Sequence, residues 1–188
     1  MSILRDVTHE RHEAVEALPF VQYLLRGSIT QEHYVIYLAE MLEIYRHLET
    51  LAALEGLLTA LPELPRTERM AEDLAELAPG YQADITSTTR EYLRYLTHLF
   101  SSERSGDLMA HVYVRHLGDM YGGKLIARVV PGAGRWYEFD NRADLAKRFN
   151  SQLHMGLATE ALVAFDWFGR IFEDIWQRIH KDVCDSTS

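Results

Sequence analysis

The 188-residue sequence predicts an all-α protein. Apolar residues recur at three- and four-residue intervals along almost the whole chain, no stretch alternates with the two-residue period of a strand, and prolines and glycines punctuate the periodic segments. The length suits one domain that buries most of its apolar surface and holds an internal pocket. That domain is expected over residues 1–182, followed by a frayed tail at 183–188.

The elements follow in order from their stop and start signals. A first helix is expected from Ile3 to about Leu18, and a short one from Phe20 to Arg26, ahead of Gly27. Thr30 opens a long helix from Gln31 to about Leu58, and the prolines of Leu61-Pro-Glu-Leu-Pro65 cannot continue it. Thr67 starts a helix that ends near Pro79-Gly80, and another occupies Thr88 to Ser101. A glycine-bearing helix is expected over Gly106 to Val130, then a loop at Pro131-Gly-Ala-Gly134 and an irregular stretch from Arg135 to Phe139. Two last helices should cover Arg142 to Leu157 and Thr159 to Asp182.

Composition narrows the function. A net charge of −9 and an isoelectric point near 5.4 argue against a nucleic-acid or anionic-membrane partner, which needs a basic surface to displace counterions. An anionic ligand must then be met by local cations. Cys184 is the lone cysteine, so an internal disulfide and a cysteine-only metal site are excluded, in keeping with a reducing, cytoplasmic setting. No signal-peptide apolar core opens the chain, and no run approaches the roughly 20 apolar residues that span a bilayer, so a soluble protein is expected.

The segment Tyr113-Val-Arg-His-Leu-Gly-Asp-Met-Tyr-Gly-Gly-Lys-Leu-Ile-Ala127 is the anomaly. Gly118, Gly122 and Gly123 interrupt helical spacing, each at about 1 kcal/mol relative to alanine. At i, i+4 and i+5 they strip side chains from one face, where a flat ligand can approach the backbone, and adjacent glycines favour a bend. Asp119 puts a single carboxylate at the edge of the bare strip. A seam for close helix packing is the plainer reading. In the first helix, His12 and Glu16 are i, i+4 neighbours. The carboxylate can then bind one ring nitrogen and leave the other for a metal, although such a pair is also ordinary surface decoration.

Taken together these residues resemble the heme oxygenase family. The likeness runs from Leu4-Arg-Asp-Val-Thr8, His12 and Glu16 through Leu61-Pro-Glu-Leu-Pro-Arg66 and Ala71-Glu-Asp-Leu74 to Ala110-His-Val-Tyr-Val-Arg-His-Leu-Gly-Asp119 with Gly122-Gly123, then Trp136-Tyr-Glu-Phe139 and Ala164-Phe165. The resemblance implies a helical bundle that holds heme b between the N-terminal helix and a kinked glycine-rich helix. Heme is then both cofactor and substrate, dioxygen the co-substrate, and biliverdin, carbon monoxide and ferrous iron the products. Electrons come from a donor such as ferredoxin or a flavin reductase.

By the same resemblance His12 is the proximal iron ligand, and Asp119 orders water that delivers protons to bound oxygen, supported by Arg115 and Tyr45. Arg5, His9, Tyr113 and Lys147 stand at propionate-binding positions, and Phe165 and Phe172 at apolar pocket positions. The physics agrees: a porphyrin is a flat apolar disc, so one helix must supply an imidazole and the facing one must approach without covering the oxygen site. Four departures stand out. Tyr121 replaces a small serine, His116 a tyrosine, Ser151 a basic residue near the propionates, and Phe168 a polar residue of the distal network.

Two other readings compete. A heme carrier or sensor that has lost turnover would keep the proximal ligand, and Tyr121 and Phe168 motivate it. A non-heme di-iron or cofactor-salvage enzyme would need Glu-x-x-His motifs, which are absent, so Glu40 and His47 are its remaining candidates.

Overall fold

The computed structural model describes residues 3–185, with side chains through residue 181. Among these, nine α-helices and no strands form the fold. They are α1 Arg5–Glu16, α2 Pro19–Leu25, α3 Gln31–Leu54, α4 Thr67–Leu77, α5 Ser87–Phe100, α6 Leu108–Val112, α7 Gly118–Ile126, α8 Arg142–Asn150 and α9 Ala158–Asp185. Residues 186–188, within the expected tail, lie outside the described residues.

The long helix α3 is the axis of the bundle. It is buried on nearly every face from Tyr34 to Tyr45, because α4, α5 and α6 pack around it. Thr30 caps its start by accepting the His33 amide at 3.2 Å. It stops at Leu54, one turn earlier than its apolar pattern implies. Gly56 sits at φ +78°, and the Leu57 amide reaches back to the Ala52 carbonyl while the Gly56 amide reaches Ala53, the Schellman ending that glycine permits. The polar side of α1 faces water, and it is laid along α9 by one buried contact residue, Thr8, with Leu4 just before the helix.

Two expected helices are shorter or broken. The helix from Arg142 ends at Asn150; Gln152 and Leu153 turn back onto Phe149 and Asn150, and a single 3₁₀ turn, Met155–Leu157, leads into α9. The glycine-bearing segment divides into a 3₁₀ turn at Ser105–Asp107, α6, a π-helical turn at Tyr113–Leu117, and α7. The departure from α geometry therefore lies just before Gly118, and α7 runs unbroken through Gly122-Gly123. An inserted residue in the turn, which is common at functional sites, re-aims the side chains downstream.

Candidate functional site

Thr8 and Tyr113 join α1 to the head of the π turn, with Thr8 Oγ1 3.3 Å from the Tyr113 hydroxyl. The Thr8 hydroxyl donates to the Leu4 carbonyl at 3.0 Å, so Tyr113 is the donor between the helices. His12 is one turn further along the same face of α1. Its ring meets the edge of Phe165 on α9 at a centroid distance of 6.1 Å, and its Nδ1 lies 3.7 Å from Glu16 Oε2. That pairing leaves Nε2 uninvolved, and the imidazole is half exposed.

The three glycines of α7 do two different things. A Cβ on Gly118 or Gly122 would meet nothing within 4 Å, so this face is bare backbone beside open space. A Cβ on Gly123 would stand 2.8 Å from Tyr137 Cδ1, so Gly123 is a packing glycine and belongs to the seam rather than to the bare strip. Tyr121 and Leu125 flank the strip on the Gly118 side and are 61% and 64% exposed. By helical spacing Tyr121 and Asp119 lie on opposite edges of it.

Asp119 is buried and held firmly. Tyr45 from α3 and the Trp136 indole, at 2.9 Å, both donate to Oδ2, which leaves Oδ1 free of these two donors. Burial pushes the Asp119 carboxyl above its ordinary value, against the pull of Tyr45, the nearby Arg115 and His116, and Trp136. Burial and the Asp119 charge push the Tyr45 phenol well up, so it stays protonated and donates. Trp136 is itself wedged between Tyr37 and Tyr137, with centroids at 5.6 and 4.6 Å.

Arg115 is near Asp119 yet makes no hydrogen bond to it. Its guanidinium lies over the Phe168 ring, 2.8 Å from the centroid, and Nη2 reaches Met41 Sδ at 3.5 Å. Phe168, where the resemblance leads one to expect a polar group, thus engages the arginine through its π face. Arg115 Nε is buried with no partner. Phe172 lines the same side, 5.5 Å from Arg115, and packs on Phe20.

The expected propionate residues are scattered in character. Arg5 and Lys147 are exposed, His9 pairs with Glu13 at 3.4 Å in solvent, and the Tyr113 hydroxyl is engaged with Thr8. Ser151 bonds the Arg148 carbonyl at 2.7 Å. The di-iron candidates do not meet: Glu40 caps α5 by accepting the Thr86 amide and hydroxyl, and His47 bonds Thr97. No three His, Cys, Asp or Glu side chains among the described residues converge as a metal cluster. That reading is set aside.

Sequence reasoning missed Trp136 as a partner of Asp119, Thr8 as the link between helices, and Glu49 as the partner of His116 at 2.9 Å. Trp136 lies in a quoted motif, but no spacing rule connects it to a carboxylate across the Pro131–Gly134 loop.

The fold and this arrangement define a helical protein with a bare helix face edged by a buried carboxylate, and a half-exposed histidine on its N-terminal helix. The chain belongs to the heme oxygenase family, whose pattern it matches over residues 1–174. Heme oxygenase 2 of the cyanobacterium Synechocystis is 31% identical over 73% of this chain and 61% of that protein. Bovine heme oxygenase 1 is 28% identical over 77% of this chain and 56% of its own length, so the chain spans under two thirds of both relatives. The heme oxygenase of Porphyra purpurea is 26% identical over 95% of this chain and 87% of that one. The fold matches that of Synechocystis heme oxygenase-2 in complex with heme and NO, with a TM-score of 0.85 at 24% identity over 98% of this chain and 88% of that one. It also matches Synechocystis heme oxygenase-1 in complex with heme, with a TM-score of 0.82 at 20% identity over 98% and 97%. No helix among the described residues is long and apolar enough to cross a membrane.

Proposed function

We propose that the protein is a heme oxygenase, which cleaves heme oxidatively to biliverdin, carbon monoxide and ferrous iron, using dioxygen and electrons from an external donor such as ferredoxin or a flavin reductase. The observation that carries this reading is the bare Gly118–Gly122 face, bordered by a carboxylate whose Oδ2 is anchored by two buried donors. The residues fit a flat macrocycle. Open space lies over two glycines, Arg115 Nε is an orphaned donor, and Phe165 and Phe172 supply apolar walls.

In this reading His12 binds the iron through Nε2, with Glu16 biasing the tautomer. Arg5 and Lys147, with His9 and Tyr113, meet the propionates, and Ser151 offers no charge there. Asp119, fixed by Tyr45 and Trp136 on Oδ2, would hold water through Oδ1 and serve as the proton relay for the heme chemistry. Heme, when bound, would supply the redox chemistry and would itself be the substrate that is cleaved. Residues 1–182 act as one domain, working in the cytoplasm.

The test is to load the protein with hemin, supply a reductant system and oxygen, and separate the products by chromatography. A bilin peak with loss of the Soret band is expected. A persistent Soret band identifies a carrier or sensor instead.

A further inference from the structure

His116 is fully buried on the π turn, and both of its ring nitrogens face groups that accept. Nδ1 lies 3.2 Å from the Val112 carbonyl, which has no proton to give. Nε2 lies 2.9 Å from Glu49 Oε1. The same carboxylate takes the Arg66 amide at 2.6 Å on Oε1, and the Thr67 amide and hydroxyl at 3.2 and 2.5 Å on Oε2. A carboxylic acid proton would face donors there. Burial pushes Glu49 up, but hydrogen bonds from His116, Thr67 and Arg66 outweigh it and hold the carboxyl below its ordinary value. The Arg66 guanidinium is turned away, to the carbonyls of Glu63, Leu64, Pro65 and Glu138. Among the described residues His116 is therefore the one side chain bonded to Glu49 that is able to carry a positive charge.

A neutral imidazole carries one N–H, and this ring needs two. We propose that His116 is a buried imidazolium, fixed by Glu49 and Val112, and that it acts through Tyr45 as a positioning residue keeping Asp119 ionised. The Tyr45 and His116 rings lie with centroids 5.0 Å apart, and the Tyr45 hydroxyl ends on Asp119 Oδ2. The cation thus stands one ring behind the carboxylate; Arg115 is the other positive charge near Asp119, and Glu49, Tyr45, Arg66, Thr67 and Asp119 complete the groups around the imidazole. The neighbouring buried histidine, His111, is an internal contrast. Its Nδ1 faces the Tyr92 hydroxyl at 2.8 Å, which can donate, and its Nε2 faces Glu160 at 3.0 Å, so a single N–H satisfies it and burial favours the neutral ring. The proposal relies on the heme oxygenase reading for what the carboxylate serves, while the protonation state is testable without heme.

The experiment uses the heme-free protein with ¹⁵N-labelled histidine, observed by ring ¹H–¹⁵N correlation at pH 7. Both His116 nitrogens should carry a proton at pH 7, while His111 shows one protonated and one bare nitrogen. A neutral His116 ring at pH 7 overturns the proposal. The Asp119 carboxyl carbon is then titrated in the parent and in His116→Gln. The parent should show a carboxylate at pH 7, and the variant a midpoint higher by about one pH unit or more. A protonated parental Asp119 at pH 7, or an unchanged midpoint in the variant, removes the coupling. The two measurements on the parent decide the matter if His116→Gln does not fold. All of these readings stand apart from bilin formation, so a failure of heme cleavage and a failure of this proposal are told apart.

Discussion

Tyr113 donates its hydroxyl to Thr8 across 3.3 Å, so the helix bearing His12 and the segment bearing Asp119 are tied at one buried point. Beyond that tie α1 rests on α9 and α7 rests on α2 and Tyr137, and the face carrying Gly118 and Gly122 stays uncovered.

His12→Ala should leave the heme-free protein as stable as the parent to within about 0.5 kcal/mol, since the ring is half exposed. It should abolish the iron–histidine stretching band in resonance Raman spectra, and added imidazole should restore it. Retention of the parental band would remove His12 from the iron.

The glycines should separate cleanly. Gly122→Ala meets no atoms, so heme-free stability should hold or rise by up to about 1 kcal/mol from helix propensity, while hemin affinity falls. Gly123→Ala pushes on Tyr137 and should cost about 1–3 kcal/mol in denaturant unfolding before any heme is added. Equal losses in both variants would mean the strip is packing throughout.

Asp119→Asn preserves the acceptor for Tyr45 and Trp136, so it should bind hemin normally yet form no biliverdin in single-turnover assays. Asp119→Ala should add a stability loss of about 1–3 kcal/mol, because two buried donors lose their partner. Parental biliverdin yield from the Asn variant would make the carboxylate structural.

Arg5 and Lys147 are exposed and outside the hydrogen-bond network, so an Arg5→Ala, Lys147→Ala double variant should unfold like the parent. Its effect should be confined to heme: weaker binding and a mixture of bilin isomers on chromatography. A single unchanged isomer with unchanged affinity would take both residues out of the site.

Acid should loosen the α6–α9 contact in two stages. His111 is held below its ordinary value by burial, so the unfolded chain takes up that proton first, and stability falls as pH drops below about 6.5. Glu160 is lowered to about 2; burial opposes this, but His111, Tyr95 and Arg104 outweigh it. Its contribution is complete above the unfolded value near 4.5 and disappears as pH falls from there to about 2. In urea melts Glu160→Gln should flatten the lower stage and leave the loss at higher pH less affected. An unaltered acid limb in that variant would place the sensitivity elsewhere.

The helical class and most element positions were legible, because three- and four-residue apolar spacing is a local property of the chain. The starts at Gln31 and near Ser87 follow from Thr30 and Thr86 as side-chain caps. The early stop at Leu54 was readable in principle from Gly56, whose left-handed backbone ends the helix. The π turn was not readable: Tyr113 to Leu117 has helical spacing, and the choice between an i−4 and an i−5 register depends on what Tyr113 and His116 find across the core, namely Thr8 and Glu49.

The sequence by itself determined the helices, the acidic surface, the glycine cluster and the family motif, since each is a matter of residue type and spacing. Tertiary structure alone decided that Gly123 packs while Gly118 and Gly122 stay bare, that Trp136 anchors Asp119, and that Phe168 carries Arg115. It also decided that His116 meets two acceptors. These outcomes depend on which groups arrive from distant segments into a dry interior, where a carboxylate or imidazole takes its charge and direction from its neighbours, and neighbours in space are set by the packing of whole helices.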